Sequence, residues 1–366
     1  MAELLKDHFD ESLVGLLSEA ATATYPAFDS VAFRDRTLST IADLELKDRI
    51  NVIADALRAG LPEDYPAAVA HVVEMATTIR GPSGMEPWPL CSVVERHGID
   101  HPDASLVAME ALTQHFSCEF AIRPFLEHHP DLTLDACRRW LAHPEATVRR
   151  LPSEGTRPYL PWGPKVQSLL DDPEIGIALI TALRHDPDEV VRRSVANHLN
   201  DIARNHPDRV AEIATDWSAD PDTDPQMVRH ALRGLVKKGH PGAMAALGFT
   251  TTADVEVDGF TVTPAEVSLG ESIELTTRLT SAAAEPQRLI VDFVIHHINA
   301  NDATSPKVFK WTTIDLAPGE SVTLTKRRRI ATASTRRYHA GRHPVDLQIA
   351  GRRLADTSFT LTDSSP

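Results

Sequence analysis

The sequence predicts two parts, an α-solenoid of stacked two-helix repeats followed by a small β-sandwich. Three observations carry this reading. Up to about residue 250, apolar residues recur at three- and four-residue steps. A proline-led signature returns at intervals near 40 residues. Beyond about residue 250 the pattern changes to period-two alternation rich in β-branched residues. With 366 residues and 42% hydrophobic content, the chain can bury a large core, and two domains are expected, residues 1–250 and 251–366.

In the first part, "LSTIADLELKDRINVIADALRAGL" and "PAAVAHVVEMATTI" read as amphipathic helices broken by Gly and Pro. The signature follows as "HPDASLVAMEAL" from 101, "HPEATVRRL" from 143, "DPDEVVRRSVANHL" from 186 and "DPQMVRHALRGL" from 224. Its prolines, Pro102, Pro144, Pro187 and Pro225, lie 42, 43 and 38 residues apart. That interval matches HEAT- or armadillo-like helix pairs, which bury their apolar faces only by stacking on neighbours. Proline suits a first helical turn, and the Val that follows begins the buried stripe. The arginines after it fall at equivalent places in successive units. They either line a concave, partly basic surface or bridge adjacent repeats.

From "GFTTTADVE" onward, "FTVTPAEVSLGESIELTTRLTS", "RLIVDFVIHHIN", "VFKWTTIDLAPGESVTLTKRRRI" and "HPVDLQIAGRRLADTSFTLT" give about seven short strands with turns at "LGES" and "APGES". These predict an immunoglobulin-like sandwich without an inter-sheet disulfide. Cys91, Cys118 and Cys137 are odd in number and lack CxxC spacing, so they read as small core residues. No apolar run reaches the roughly 18 residues of a membrane span, and "MAELLKDHFDESL" lacks a leader layout, so a soluble cytoplasmic protein is expected. Net charge is −15 but uneven, with 24 Lys+Arg against 38 Asp+Glu before residue 251 and 13 against 14 after it. Strong nonspecific nucleic-acid binding is disfavoured, whereas one local basic groove is not.

Four stretches could carry chemistry. In "RRSVANHLNDIARNHP", a helical wheel gathers Val191, Val195, Leu199, Ile202 and Ala203 on a buried stripe. Opposite lie Arg193, Ser194, Asn197, Asn200, Asp201 and Arg204, a polar arc without Lys or Glu. Short polar groups weaken a helix interior, so this face is expected to touch something that rewards them. "LPSEGTRPYLPWGPK", residues 151 to 165, has four prolines and two glycines and reads as a stiffened loop carrying Glu154, Arg157, Tyr159 and Trp162. Residues 138 to 165 are locally basic and contain aromatics, as phosphate contact with stacking requires. The bland alternative leaves Trp162 filling a gap between repeats. In "FSCEFAIRPFLEHHP", Glu119 and Arg123 stand four apart, the spacing of a weak helical ion pair. "KRRRIATASTRRYHAGRH" reads as two strands and a loop projecting Arg336, Arg337 and Arg342 beside Tyr338, either to clamp a DNA minor groove or as a charged strand edge. Glu119, Glu154 and Asp201 fall in successive repeats, so three carboxylates could converge among arginines. Such a site suits a substrate that is polyanionic at its edges and cationic at its centre.

At these residues the sequence resembles the AlkC branch of the HEAT-like alkylpurine DNA glycosylases, the AlkC/AlkD superfamily. The resemblance rests on "SCEFAIRPFL", "HPEATVRRLPSEGTRPYLPW" and "DEVVRRSVANHLNDIARNHP", and more loosely on "LEL" with "RINVIADAL". It covers most of residues 1 to 245, and the carboxyl-terminal part is similar to the immunoglobulin-like domain of one AlkC subgroup. Cys118 departs from the pattern, where a Ser-like residue is expected. The resemblance implies excision of cationic N-alkylated bases, chiefly N3-methyladenine, from duplex DNA in base excision repair, without the base flipping usual among glycosylases. A cationic alkylpurine is already a good leaving group. What remains is to stabilise oxocarbenium character at the sugar and deliver water, work suited to carboxylates. It implies Asp201 and Glu154 facing the sugar, Glu119 supporting them, and Trp162 packing on the deoxyribose. Arg149, Arg150, Arg157 and Arg193 would meet phosphates, and Asn197 would orient water or a carboxylate. The expected partner is double-stranded alkylated DNA, acted on by a monomer without metal, cofactor or membrane. The rival reading is a noncatalytic HEAT scaffold, since fold alone does not decide function. Metal hydrolysis is disfavoured because "EHH" at 127 and "HH" at 296 lack ligand spacing.

Overall fold

The computed structural model describes residues 5–81, 83–301, 303–331 and 337–363. After a 3₁₀ turn at Leu5–His8 come α1 (Glu11–Thr24), α2 (Ser30–Leu38), a second 3₁₀ turn at Ile41–Asp43, α3 (Leu46–Gly60), α4 (Tyr65–Thr78), α5 (Trp88–His97), α6 (Pro102–Leu112), α7 (Ile122–His128) and α8 (Pro130–Trp140). Next are α9 (Ala146–Gly155), α10 (Gln167–Asp171), α11 (Pro173–Ala182), α12 (Glu189–Ile202), α13 (Pro207–Ala219), α14 (Pro225–Ala231), α15 (Arg233–Lys237) and α16 (Pro241–Ala246). By contacts the chain divides into two compact units: residues 1–206 with 222–231, and residues 207–221 with 232–366. No helix among the described residues is long and apolar enough to cross a membrane.

In the first unit, successive helices pack side by side while α1, α4, α6 and α8 stack in one row, and α9, α12 and α14 in another. Asp10, Asp29, Asp64, Asp172 and Asp188 cap helix starts with their carboxylates, and Pro fills the first turn of α4, α5, α6, α8 and α11. The recurrent signature does not mark one equivalent helix throughout. At Pro102 it opens α6, in the first row, whereas in the other row Pro144 and Pro187 precede α9 and α12 and Pro225 opens α14. Both helices of a pair need a stop and a restart, so a Pro-led start recurs at more than the repeat period.

The arginine after the signature Val is a joint between repeats. Arg149 donates to Asp186 at 2.6 and 3.0 Å and to the carbonyls of His143 and Pro144. One repeat later Arg192 donates to the carbonyls of Asp186 and Pro187 and pairs with Asp224 at 3.5 Å. Arg149, expected at a phosphate, is thereby committed to the repeat junction. These guanidiniums satisfy carbonyls that lie before each helix and carry a carboxylate from the next turn of the stack.

The second unit holds the sandwich: β1 (Val255–Thr263), β2 (Glu266–Val267), β3 (Ser272–Ser281), β4 (Gln287–Ile298), β5 (Thr304–Leu316), β6 (Ser321–Arg329), β7 (Gly341–Ile349) and β8 (Arg352–Leu361). One sheet runs β1-β3-β6 and the other β2-β8-β7-β4-β5. In β3, Ile273, Leu275 and Leu279 point inward between exposed Glu274 and Arg278, the alternation the sequence shows. Phe293 and Trp311 meet edge to face at 6.1 Å in the core. The basic run of β6 and the start of β7 are not a hairpin, because those strands belong to different sheets. Arg342 lies on β7 itself, with its Nε 3.0 Å from Ser358 Oγ; Arg337 is exposed before the strand, and Arg336 lies outside the described residues.

Within this unit the turn after α15 touches the β7–β8 turn at two glycines. A Cβ on Gly351 would sit 2.1 Å from Gly239 Cα, and both residues have positive φ, 76° and 71°. Gly351→Ala is expected to cost roughly 1–3 kcal/mol from the backbone conformation alone, with steric overlap adding to it, and thermal unfolding will show a lowered midpoint.

Candidate functional site

The site grows from the end of α9. Residues 151–155, expected as loop, are helical despite Pro152 in the helix interior. Helix C-termini leave carbonyls unpaired, and burying such an end requires other donors. Here side chains supply them. Thr156 Oγ1 donates to the Pro152 carbonyl at 2.5 Å, and His198 Nδ1, from α12, to that of Ser153 at 2.8 Å. Arg123, from α7, donates through Nη1 to the carbonyls of Gly155 and Arg157 at 2.8 and 3.0 Å and through Nε to that of Pro164 at 2.5 Å. Gly155 lets α7 approach, since a Cβ there would lie 2.5 Å from Ile122 Cγ2. The proline-rich segment is therefore a helix end plus a short loop, both pinned by a fully buried guanidinium.

On this frame stands a ladder of alternating charge. Arg150 Nη1 donates to Glu119 Oε2 at 3.0 Å, and its Nη2 lies 3.4 Å from Glu154 Oε2. Arg157 donates through Nη1 to Glu154 Oε1 at 2.7 Å and through Nε to Asp201 Oδ2 at 2.9 Å. Arg204 stands 3.9 Å from Asp201 Oδ1 and stacks over Tyr159 at 4.5 Å. Glu119, Glu154 and Asp201, expected to converge, are thus linked through single shared guanidiniums. Glu119 belongs to a turn before α7, not to a helix with Arg123, and its partners are Ser117 and Arg150. The ion pair expected from the four-residue spacing does not form, because Arg123 turns inward to main-chain carbonyls.

Burial pushes both inner carboxyls toward the neutral form, and the outcomes differ. For Glu154 that penalty is outweighed by Arg150, Arg157 and the Ser194 hydroxyl, leaving its pKa below the ordinary value. For Asp201 burial prevails over Arg157 and Arg204, and the pKa rises. Burial brings Arg123 down to about 10.

Trp162 adds an apolar wall. It is 63% exposed and held at φ 64°, a conformation that strains a bulky residue. Its ring stacks on Trp88 at 6.5 Å, and Trp88 stacks in turn on Phe116 and Phe120 at 5.2 and 5.3 Å. Lys47 Nζ lies 4.3 Å from the centre of the Phe120 ring. A gap-filling tryptophan would be buried; this one is displayed.

The polar arc of α12 divides. Ser194 and Asp201 are buried toward the ladder, and fully buried His198 joins them, whereas Arg193 is exposed and pairs with Glu189 at 2.5 Å. The Asn197 amide oxygen accepts from His230 Nε2 at 2.9 Å. A cleft of about 400 Å³ is lined by Arg193, Gln226 and His230 among others, and none of the three carboxylates lines it. Arg123, His198 and Trp88 escaped the sequence as supports of the site, and Ser194 was legible there only as part of the polar arc. One signal was available: an arginine between Ile122 and Phe125 must either break the apolar stripe or be buried with donors used.

His198 has its pKa drawn down to about 4 from 6.5 by burial. The unfolded chain takes up this proton near 6.5 while the fold refuses it until about 4, so stability is lost as pH falls through that window. His198→Gln should flatten the pH dependence of the denaturant-derived unfolding free energy there by about 1.4 kcal/mol per pH unit; an unchanged slope would place the acid sensitivity elsewhere.

Residues 256–363 match the family described as "Uncharacterised protein YhaZ, C-terminal Ig-like domain". The uncharacterized protein YhaZ of Bacillus subtilis (strain 168) is 32% identical over 98% of this chain and 99% of its own length. The structure of the Pseudomonas fluorescens alkylpurine DNA glycosylase AlkC, bound to DNA containing an abasic site analog, superposes with a TM-score of 0.92, 34% identity, and coverage of 99% of this chain and 100% of that one.

Proposed function

We propose that this chain, which belongs to the AlkC-type family with a C-terminal immunoglobulin-like domain, is an alkylpurine DNA glycosylase that releases cationic N-alkylated bases, chiefly N3-methyladenine, from duplex DNA. The observation that carries this reading is the ladder itself: three carboxylates joined by two arginines on the first unit, with an exposed indole on the adjoining loop. Its relative AlkC, similar along the whole chain, is a glycosylase seen on DNA.

Cleavage breaks the C1′–N bond, with the electron pair leaving on the base, which becomes neutral. Positive charge moves to the sugar, and water adds at C1′ and gives up a proton. Glu154, kept anionic by its guanidiniums, faces the developing oxocarbenium ion. Asp201, whose proton affinity burial has raised, accepts the proton from water, because carboxyls with diverging environments divide acid–base roles. Glu119 holds Arg150 in place, and Trp162 offers its π face to the sugar cation. Half-buried Arg150 and exposed Arg193 meet flanking phosphates, Asn197 orients the water or a carboxylate, and Arg157 remains the bridge between the inner acids. The base stays in the stack, since these groups address the sugar, and the product is an abasic site for base excision repair. The enzyme works as a cytoplasmic monomer without a cofactor.

Chromatographic detection of free base from methylated duplex DNA tests this directly. Asp201→Asn should slow single-turnover release by about 100-fold or more with DNA affinity retained; release at the wild-type rate would remove Asp201 from the chemistry. If Arg337 and Arg342 reach phosphates, replacing both with Ala should lower the slope of log affinity against log salt by about 0.9 per lost contact. An unaltered slope would leave them as a charged strand edge.

A further inference from the structure

Behind Glu154 lies a pair of buried serine hydroxyls. Ser194 Oγ is 2.6 Å from Glu154 Oε2 and 2.9 Å from Ser153 Oγ, and both serines are buried. A hydroxyl carries one proton and an ionised carboxylate can only accept. Ser194 Oγ is placed as the donor in both contacts, and its single proton goes to the shorter one, on the Glu154 carboxylate. Ser153 is itself anchored, because its carbonyl would otherwise be an orphan of the α9 terminus. The Arg157 N–H goes to the Glu154 carbonyl at 3.4 Å, and His198 Nδ1 donates to Ser153 instead. The imidazole fits because α11 has a glycine beneath it: a Cβ on Gly176 would lie 2.5 Å from His198 Nε2. That Nε2 has no hydrogen-bond partner, so the ring acts through Nδ1 alone.

The two carboxylate oxygens are treated unequally. Oε1 takes Arg157 at 2.7 Å, while Oε2 has Ser194 at 2.6 Å and Arg150 only at 3.4 Å. Six charged or titratable groups surround this carboxylate: Arg150 and Arg157 from its own helix and the loop after it, His198 and Asp201 from α12, Arg123 from α7, and Glu119 beyond Arg150. Beside them the uncharged Ser194 makes the short contact on Oε2.

We propose that Ser194 is a positioning residue that fixes the orientation and charge of Glu154 by donating to its Oε2, with Ser153, held by His198, packed behind it. The proposal rests on the reading of Glu154 as the anion facing the sugar. Ser194 touches the carboxylate directly and Ser153 only the Ser194 hydroxyl, so the effect of the two serines is graded, with Ser194 the larger.

The test uses full-length protein carrying ¹³C-carboxyl glutamate, with the Glu154 signal identified by its loss in Glu154→Gln. In Ser194→Ala the titration midpoint of Glu154 should rise by roughly one to two pH units, as expected for a lost bond to a charged group. Ser153→Ala should raise it less, and Ser194→Cys, which keeps the volume but donates weakly, should fall between Ser194→Ala and wild type. Single-turnover base release by Ser194→Ala should drop roughly tenfold or more at unchanged DNA affinity. An unmoved Glu154 midpoint, a larger shift in Ser153→Ala than in Ser194→Ala, or DNA affinity falling in step with the rate would each overturn the proposal. Wild-type protein that releases no base would instead overturn the glycosylase reading, while the titration would still judge the contact of Ser194 with Glu154.

Discussion

Arg157 between Glu154 and Asp201 is the interaction on which the candidate site depends. Two carboxyls are buried at one place, and Glu154 sits in the last turn of α9, where the helix dipole disfavours a negative charge. Desolvation and dipole act together, so neither acid would remain ionised without a guanidinium in direct contact. Arg157 can serve both because its planar fork offers Nη1 to one acid and Nε to the other. It reaches that position because the chain leaves α9 immediately after Glu154, and the turn is possible because Arg123 and His198 take over the carbonyls the helix abandons. Fold and electrostatics are therefore one construction. The buried helix end supplies the acids, and its caps supply the rigidity.

Arginines in this chain do two different jobs from adjacent positions. Arg149 and Arg192 face the repeat junction and join one helix pair to the next, whereas one residue later and about 100° around the helix Arg150 meets the ladder and Arg193 is exposed, with Arg192 and Arg193 both lining an open cleft. A paired Arg-Arg step thus joins the repeats and furnishes the functional face with the same six bases of coding sequence. Trp162 is the apolar counterpart. Its strained backbone and stacking on Trp88 present an indole to solvent next to the charged groups.

Much of the architecture was legible in the sequence. Helical periodicity before residue 250 and alternation after it give the two architectures, because period reports which face each element buries. Glu154 and Asp201 were also legible as members of one candidate cluster, since a polar helix face without Lys or Glu and a proline-rich segment carrying Glu, Arg and Trp contradict ordinary solvated surface. What escaped detection depends on three-dimensional partners. Arg123 looked like half of a local ion pair, and only the burial of the α9 end reveals main-chain carbonyls waiting for it. Pro152 argued against helix, yet neighbouring helices supply enough packing and capping to override local propensity. Arg149 and Arg150 are indistinguishable by type, and only the rotation between them separates a junction residue from a site residue.

Because each internal charge of the ladder touches two neighbours, the residues from Glu119 to Asp201 are not independent sites of variation. Removing one acid strands a guanidinium that a second replacement could relieve, so paired substitutions will depart from additivity. Drift along this lineage is consequently channelled into joint exchanges, with each member of the ladder restricting which alleles its neighbours can accept.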